Sequence, residues 1–243
     1  MHQTRLQYQQ RTRPKQRKAR VNANDTLELL RSQVLFRDLK QSELKQLVTA
    51  ARRRTFDAEA YIFRQGECGA TCHIILRGKV RVFVIGEDGR ELSVRLLGPG
   101  EIIGEMALFE AAPRSASVVT LEPTKTVEIS RDALLHAIRR SPGVAVHLLR
   151  AMSARLRRTN EDAEWLASLP VVERLYLQLQ RLAEWSGTPV SDGVRITPPM
   201  TQQELAALVG TSRESVNRAL MRLRTQEKVR LEEGWIVLVD ASD

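Results

Sequence analysis

The stretch from Thr55 to Ile129 constrains the fold most, because its apolar residues alternate with polar ones at the period of a β-strand. Apolar residues occupy every second position in residues 74–76, 80–84, 92–96 and 127–129. Glycines separate these runs, and the step Glu87, Asp88, Gly89 is typical of a hairpin turn. Short alternating strands with this turn spacing predict a small antiparallel barrel or sandwich.

Apolar residues at helical spacing flank the predicted strands. Between Asp25 and Ala51 they predict two short helices, with Ser42 as a helix cap between them. After Ser130 they predict a short helix over residues 131–139 and a long helix over about residues 144–167.

The long helix carries a heptad seam, in which six residues follow each other in steps of three and four. They are Leu149, Met152, Leu156, Thr159, Ala163 and Leu166. Such a seam implies a partner helix, and self-pairing is the simplest source of one. In the alternative interpretation, the seam packs on the chain's own barrel.

The last 45 residues have the pattern of a winged helix-turn-helix. Pro170 is the predicted hinge before a further helix, and the Gly- and Pro-rich residues 186–199 are predicted to form a loop. Thr201 and Glu204 form a capping box, and Gly210 permits a sharp turn before a second helix that runs from Ser212 to about residue 224. Residues 230–239 predict a hairpin, the wing.

The second helix has the composition of one that docks in the major groove of DNA. Its apolar residues fall on one side, and its exposed positions include Arg213, Asn217 and Arg218. Glu214 has two interpretations. It either completes a second capping box with Thr211, or it accepts a hydrogen bond from a cytosine amine, which is the interpretation we favour.

The net charge of +9 is concentrated at the N-terminus, where the first 20 residues hold seven Lys or Arg and no acid. Residues 1–24 are therefore expected to be a disordered basic arm. This arm either contacts DNA phosphates or a partner, or it is a solvated tail. The sequence has no apolar run long enough to span a membrane, so we expect a soluble, cytoplasmic protein with no membrane partner.

The sequence has too few cysteines and histidines for a disulfide framework or a metal site. Cys68 and Cys72 are the two cysteines, and with His73 they do not reach the four ligands of a structural zinc site. Only one of the four histidines falls in the predicted barrel, so a metal-dependent barrel enzyme is not supported. We expect no catalytic residues, no metal and no cofactor.

Residues 103–117 have a composition suited to a small anion. Gly104 allows close backbone approach, a short helical run from Glu105 offers amide groups, and Arg114 supplies a positive charge. Alone, this pattern is weak, because a turn with a surface arginine would have the same residues.

The order of these parts closely resembles the cyclic-AMP receptor protein family within the CRP/FNR superfamily of bacterial transcription regulators. The resemblance rests on Gly-Glu-x-Ala-Leu at residue 104, Pro-Arg-Ser-Ala at residue 113 and Ser-Arg-Glu-Ser-Val-Asn-Arg at residue 212, and it covers residues 27–240. It implies an α+β fold with an N-terminal antiparallel, jelly-roll-like β-roll. The implied division is a basic arm (1–24), a cyclic-nucleotide-binding β-roll (25–140), a dimerisation helix (141–169) and a winged helix-turn-helix (170–243).

The resemblance also implies the site residues. A cyclic nucleotide would contact Gly104, Glu105, Met106, Ala107, Arg114, Ser115, Arg155, Thr159 and Asn160. DNA would contact Thr201, Gln202, Ser212, Arg213, Glu214, Asn217 and Arg218. The dimer would form through Leu149, Met152, Leu156, Ala163 and Leu166. The implied partners are a second copy of the chain, double-stranded DNA with a palindromic site, and RNA polymerase.

The chain departs from the family pattern at the expected purine contact. Cyclic-AMP-responsive members have Thr-Ser where this chain has Thr159 and Asn160. Cyclic AMP is the expected effector, while cyclic GMP and a cyclic dinucleotide such as cyclic di-GMP stay open, as does a ligand-independent regulator. The Cys-rich arm of iron-sulfur members is absent from the sequence, and His73 lies outside the cassette, which does not favour haem-based sensing.

Overall fold

The computed structural model describes residues 27–28, 30–31, 40–110, 112–197, 199–232 and 234–239. The predicted basic arm lies outside these residues. The chain divides into two compact units, each described separately below. The first contains the described residues up to Val84 and residues 96–151, and the second contains residues 85–95 and the described residues from Met152 onward.

Twelve strands and seven helices have bounds in the described residues. In chain order they are α1 (Gln41–Ala50), β1 (Arg52–Phe56), β2 (Tyr61–Phe63), β3 (Thr71–Arg77), β4 (Val80–Ile85), β5 (Glu91–Leu97), β6 (Ile102–Ile103), α2 (Met106–Glu110), β7 (Ser117–Thr120), β8 (Thr124–Ser130), α3 (Arg131–Arg140), α4 (Pro142–Ser168), α5 (Val171–Ser186), β9 (Gly187–Val190), β10 (Gly193–Ile196), α6 (Gln202–Val209), α7 (Arg213–Thr225), β11 (Val229–Glu232) and β12 (Trp235–Val239).

The predicted antiparallel β-structure forms two four-stranded sheets, in the orders β1-β8-β3-β6 and β2-β7-β4-β5. Strand β3 is buried on both faces. Cys72, Ile74 and Leu76 belong to one apolar cluster, and Ile75 between them belongs to another. Successive side chains of β3 point to opposite faces of the sheet, so this one strand contributes to two separate apolar cores. The predicted hairpin turn is confirmed between β4 and β5, where Gly89 has φ +79.

The helices around the sheets begin at residues that satisfy their first amides. Ser130 caps α3, because its hydroxyl accepts from the Ala133 N–H at 3.3 Å. The predicted cap at Ser42 is wrong, since α1 begins at Gln41 and Ser42 lies inside its first turn. There the Glu43 carboxylate accepts from the Lys40 N–H at 2.9 Å, so the helix start uses a glutamate.

The second unit is built on a four-stranded sheet with the order β11-β12-β10-β9. The loop predicted for residues 186–199 is wrong, because it contains the hairpin of β9 and β10, in which Val190 pairs with Gly193. Pro189 is compatible with a strand here because β9 is the edge of the sheet, where a missing N–H costs no hydrogen bond.

Two arginines fix the corner between α4 and α5. Arg181 lies over the Trp165 ring, with its Cζ 3.8 Å from the centroid, and forms ion pairs with Glu161 at 2.6 Å and with Asp162. Arg174 donates to the carbonyl oxygens of Leu169 and Val209, at 3.0 and 3.2 Å. These contacts connect the end of α4 with the helix-turn-helix through α5.

Candidate anion site and DNA-binding surface

Arg114 is held in the first unit by both its backbone and its side chain. Its N–H donates to the Glu67 carbonyl at 2.9 Å, and its own carbonyl accepts from Gly66 at 2.8 Å. The guanidinium donates through Nη1 to the Gly104 carbonyl and through Nη2 to the Thr71 carbonyl, both at 2.6 Å. The side chain is buried, with 6% of its surface exposed.

Burial and the neighbouring acidic groups act in opposite directions on the pKa of Arg114. Burial lowers the pKa of Arg114, while the neighbouring Cys72 and the carboxylates of Glu67, Glu105 and Glu128 oppose this shift. Its two hydrogen-bond acceptors are neutral carbonyl oxygens, so they satisfy N–H groups without supplying a counter-charge. A buried cation is stabilised by hydrogen bonds and by nearby negative charge, which comes here from these carboxylates.

Three residues that shape the surroundings of Arg114 were not among the predicted site residues. The Cζ of Arg114 lies 4.2 Å from the centre of the Phe63 ring. A Cβ added at Gly69 would lie less than 3.0 Å from three guanidinium atoms, so this position has no room for a side chain. Thr71 contributes a backbone carbonyl. No sequence pattern marks Phe63 or Thr71, because Phe63 ends the short apolar strand β2 and Thr71 acts through its backbone carbonyl.

The other predicted residues of the cassette surround the start of α2. Gly104 has φ +77, a backbone conformation that favours glycine. Glu105 is buried, and its carbonyl accepts from Leu108 at 3.0 Å. Ala107 is buried, whereas Met106 is exposed. The exposed Ser115 hydroxyl lies 3.6 Å from the Met106 sulfur, so the structure brings Gly104, Glu105 and Arg114 together and Ser115 next to Met106.

Cys72 and His73, which are adjacent in β3, are both buried. Burial raises the pKa of the Cys72 thiol to about 12 and lowers the pKa of His73 to about 4, so both are uncharged at neutral pH. His73 Nδ1 lies 3.1 Å from the Thr126 hydroxyl. Within the described ranges, no three His, Cys, Asp or Glu residues are grouped to hold a metal ion.

The predicted purine contacts lie on α4 in the second unit, whereas Arg114 lies in the first. Thr159 and Asn160 are exposed, and the Thr159 hydroxyl donates to the Arg155 carbonyl at 3.0 Å. The same carbonyl accepts from the Arg95 guanidinium at 3.1 Å.

The predicted dimerisation seam is partly exposed along α4. The exposed fractions of Leu149, Leu156 and Leu166 are 63%, 62% and 48%, while Met152 is half-buried and Ala163 is exposed. A row of exposed leucines on one helix favours a partner surface.

The helix-turn-helix begins as predicted and then differs at its second helix. Thr201 and Glu204 satisfy each other's amides in a capping box, and Gly210 ends α6 with φ +64. The alternative interpretation of Glu214, a second capping box with Thr211, is wrong. Ser212 caps α7 instead, because its hydroxyl accepts from the Ser215 N–H at 3.2 Å.

The described surface of α7 has the predicted two faces. Val216, Ala219, Leu220 and Leu223 are buried, and Ser212, Arg213, Glu214, Asn217 and Arg218 are exposed. Two hydrogen bonds lower the pKa of Glu214. The larger effect comes from the backbone N–H of Glu214 itself, and the smaller one from the Ser212 side chain. On α6, Thr201 is exposed and Gln202 is half-buried.

The predicted wing is a hairpin of β11 and β12, in which Glu232 pairs with Trp235 and Gly234 has φ +87. Glu233, which lies between these two strands in the sequence, is outside the described residues. In the part of the chain that the structure describes, no helix is both long and apolar enough to cross a membrane.

Comparison with known proteins identifies the family. A cyclic nucleotide-binding domain model matches residues 53–141, and a Crp-like helix-turn-helix domain model matches residues 173–243. The CRP-like cAMP-activated global transcriptional regulator of Mycobacterium tuberculosis is 34% identical over 214 residues, which cover 88% of this chain and 96% of the relative. The protein belongs to the CRP/FNR family. This confirms the resemblance and the predicted fold class.

Other CRP/FNR proteins match over similar lengths. The cyclic AMP receptor protein of Thermus thermophilus is 34% identical over 208 residues, covering 86% of this chain and 93% of the relative. The solved structure of the c-di-GMP responsive global regulator CLP of Xanthomonas campestris has a TM-score of 0.72 at 28% identity, covering 83% of this chain and 100% of that one. As a CRP/FNR member, the protein is a cyclic-nucleotide-binding transcription regulator and not an enzyme.

Proposed function

We propose that this CRP/FNR protein is a homodimeric transcription regulator whose DNA binding is gated by cyclic AMP. The observation behind this proposal is that the buried Arg114 guanidinium donates to two neutral carbonyls beside Glu105, which use two of its five N–H donors. The relatives from Mycobacterium tuberculosis and Thermus thermophilus, named for cyclic AMP, support the choice of effector.

Each residue of the cassette has a role in this proposal. Arg114 pairs with the cyclic phosphate and Ser115 donates to it. Glu105 accepts from the ribose hydroxyl, while Gly104, Met106 and Ala107 add backbone contacts. On α4, Arg155 approaches the ligand, and Thr159 and Asn160 contact the purine.

A cyclic dinucleotide is the second candidate effector. The solved structure of the Xanthomonas campestris regulator, described as c-di-GMP responsive, favours it. Asn160 supports the same alternative, because an amide in place of a hydroxyl changes both the size and the donor count at the base.

A calorimetric titration with cyclic AMP, cyclic GMP and cyclic di-GMP tests the effector. We expect micromolar binding of cyclic AMP by the wild type and loss of binding in Arg114→Ala. Arg77→Ala is the matched control, because Arg77 is an exposed arginine on β3 and its loss should leave binding unchanged. Binding of cyclic di-GMP alone would replace the effector, and no binding of any ligand would favour a ligand-independent regulator.

Gating operates through the dimer in this proposal. Leu149, Met152, Leu156, Ala163 and Leu166 pair with the same residues of a second copy, and effector binding shifts the population between two packings of this seam. The active packing places the two recognition helices about 34 to 36 Å apart, one turn of DNA, on a palindromic site. The regulator then acts in the cytoplasm together with RNA polymerase.

The DNA-contacting residues follow from the exposed face of α7. Arg213 and Arg218 contact guanines or phosphates, Glu214 contacts a cytosine amine, and Thr201, Gln202, Ser212 and Asn217 complete the surface. Selection of binding sites from random duplexes by wild type and Glu214→Ala tests base recognition. We expect the preferred bases to change at one position in each half-site, and an unchanged preference would contradict this role.

A further inference from the structure

The Arg114 guanidinium occupies a slot whose aromatic side is Phe63. The guanidinium Cζ lies 4.2 Å from the centre of the Phe63 ring, a distance at which a cation is attracted by the ring face. Phe63 is itself fixed, because only 8% of its surface is exposed and it packs in an apolar cluster with Ile103 and Val118. Its ring also lies 6.3 Å from the ring of His73.

Glycine backbone forms other parts of the slot. A Cβ at Gly69 would lie less than 3.0 Å from the Nε, Cζ and Nη2 atoms of Arg114, and one at Gly104 would lie as close to Nη1. Gly69 has no positive φ that would demand glycine, so the need for glycine there comes from the guanidinium alone. An alanine at position 69 would displace the end of the Arg114 side chain.

From these contacts we propose that Phe63 and Gly69 are positioning residues, which hold the Arg114 guanidinium ready to receive the phosphate of the effector. This inference rests on the proposed function, because it takes the anion to be the phosphate of a cyclic nucleotide. Neither residue needs to touch the ligand, since both act through Arg114.

The slot explains how a flexible side chain becomes a specific anion receptor. The carbonyls of Gly104 and Thr71 occupy two of the five guanidinium N–H donors and leave three for a ligand. A free arginine loses rotamer freedom when it binds an anion, and a guanidinium already fixed between Phe63 and Gly69 has lost that freedom in the folded protein.

The test compares four variants by calorimetry with cyclic AMP and by melting temperature. Phe63→Leu removes the ring face and should weaken binding about tenfold, the effect expected for a desolvated cation–π contact. Phe63→Tyr keeps the ring face and should bind like the wild type. Gly69→Ala should weaken binding at least as much as Phe63→Leu. Tyr61→Leu is the matched control, because it removes a different cation–π pair, with Arg64 at 3.5 Å.

A ligand-free measurement separates this inference from the proposed function. The NMR signal of the Arg114 Nε–H group, assigned by its loss in Arg114→Lys, should move in Phe63→Leu and Gly69→Ala and stay in place in Tyr61→Leu. If the wild type binds no cyclic nucleotide, the proposed function fails while this spectrum still tests the slot. If the wild type binds, Arg114→Ala does not, and both Phe63→Leu and Gly69→Ala bind normally, the positioning roles are wrong.

Discussion

At the scale of single residues, burial sets the charge of His73. Desolvation lowers its pKa from 6.5 to about 4, while Glu128 acts in the opposite direction and Arg114 and Arg54 act in the same one. The unfolded chain therefore takes up a proton below pH 6.5 that the folded chain does not. Folding stability from this residue is complete above pH 6.5 and decreases as the pH falls from 6.5 to about 4.

We expect the first unit to lose about 2 kcal/mol more of its unfolding free energy between pH 7 and pH 5 in the wild type than in His73→Gln. Cys72 is the reporter, because it is fully buried and lies next to His73. Its reaction with a pyridyl disulfide is measured across a urea series, in a Cys68→Ser background that removes the exposed thiol. Equal pH dependence of the two proteins would contradict a buried neutral His73.

The residues around Arg114 differ in how far the sequence predicts them. Arg114 could be selected as a candidate site residue from the sequence, because its neighbours in sequence follow a family motif. Phe63, Gly69 and Thr71 were not, since they reach Arg114 only after the strands have paired and the 64–71 segment has folded against it. An aromatic residue in a short apolar strand such as β2 has the same sequence pattern whether it only packs in the core or also contacts a guanidinium.

At the level of secondary-structure elements, two adjacent residues with hydroxyl groups have different roles at the start of α7. Ser212 caps the helix through the Ser215 N–H, whereas Thr211 contributes its own N–H to the Ala206 carbonyl at 3.0 Å. We expect Ser212→Ala to lower the unfolding free energy of the second unit by about 1 kcal/mol, the usual cost of a lost N-cap. Thr211→Ala is the matched control and should change it by much less.

Urea unfolding followed by tryptophan fluorescence measures this difference, because Trp165, Trp185 and Trp235 all lie in the second unit. A larger loss in Thr211→Ala than in Ser212→Ala would restore the alternative interpretation, a capping box of Thr211 and Glu214. The measurement is made without DNA, so the expected contact of Ser212 with DNA does not enter it.

Elements with strong periodicity were predictable, and those with conflicting residues were not. The predicted helix over residues 131–139 is α3, and the predicted long helix extends from Pro142 to Ser168. The hairpin of β9 and β10 was missed because Pro189 and Gly193 indicate a loop, although Pro189 lies on the edge strand β9 and Gly193 is the first residue of β10. Tertiary pairing with β12 decides the structure there.

At the scale of the whole molecule, the exposed seam of α4 predicts self-association. Leu156 is 62% exposed in the single chain, so Leu156→Asp should leave the folded chain intact and break the dimer. We expect sedimentation to show a dimer for the wild type and a monomer for Leu156→Asp at micromolar concentration. Ala154→Asp, which places the same acid on the opposite face of α4, should stay dimeric.

If Leu156→Asp leaves the dimer unaffected, the seam does not form the dimer interface. This result would favour the alternative interpretation, in which the seam packs on the chain's own barrel. A wild type that is monomeric both alone and with DNA would contradict the proposed gating mechanism, because two recognition helices are needed for a palindromic site.

In the proposed function an anion at Arg114 controls DNA binding, and fluorescence anisotropy with a duplex selected by the wild type tests this control. The affinity of the wild type, of Arg114→Ala and of the control Arg77→Ala for this duplex is measured with and without cyclic AMP. We predict that cyclic AMP tightens DNA binding by the wild type and Arg77→Ala at least about tenfold, within the usual range of allosteric coupling, and has no effect on Arg114→Ala. An equal response of Arg114→Ala and the wild type to cyclic AMP would contradict the account.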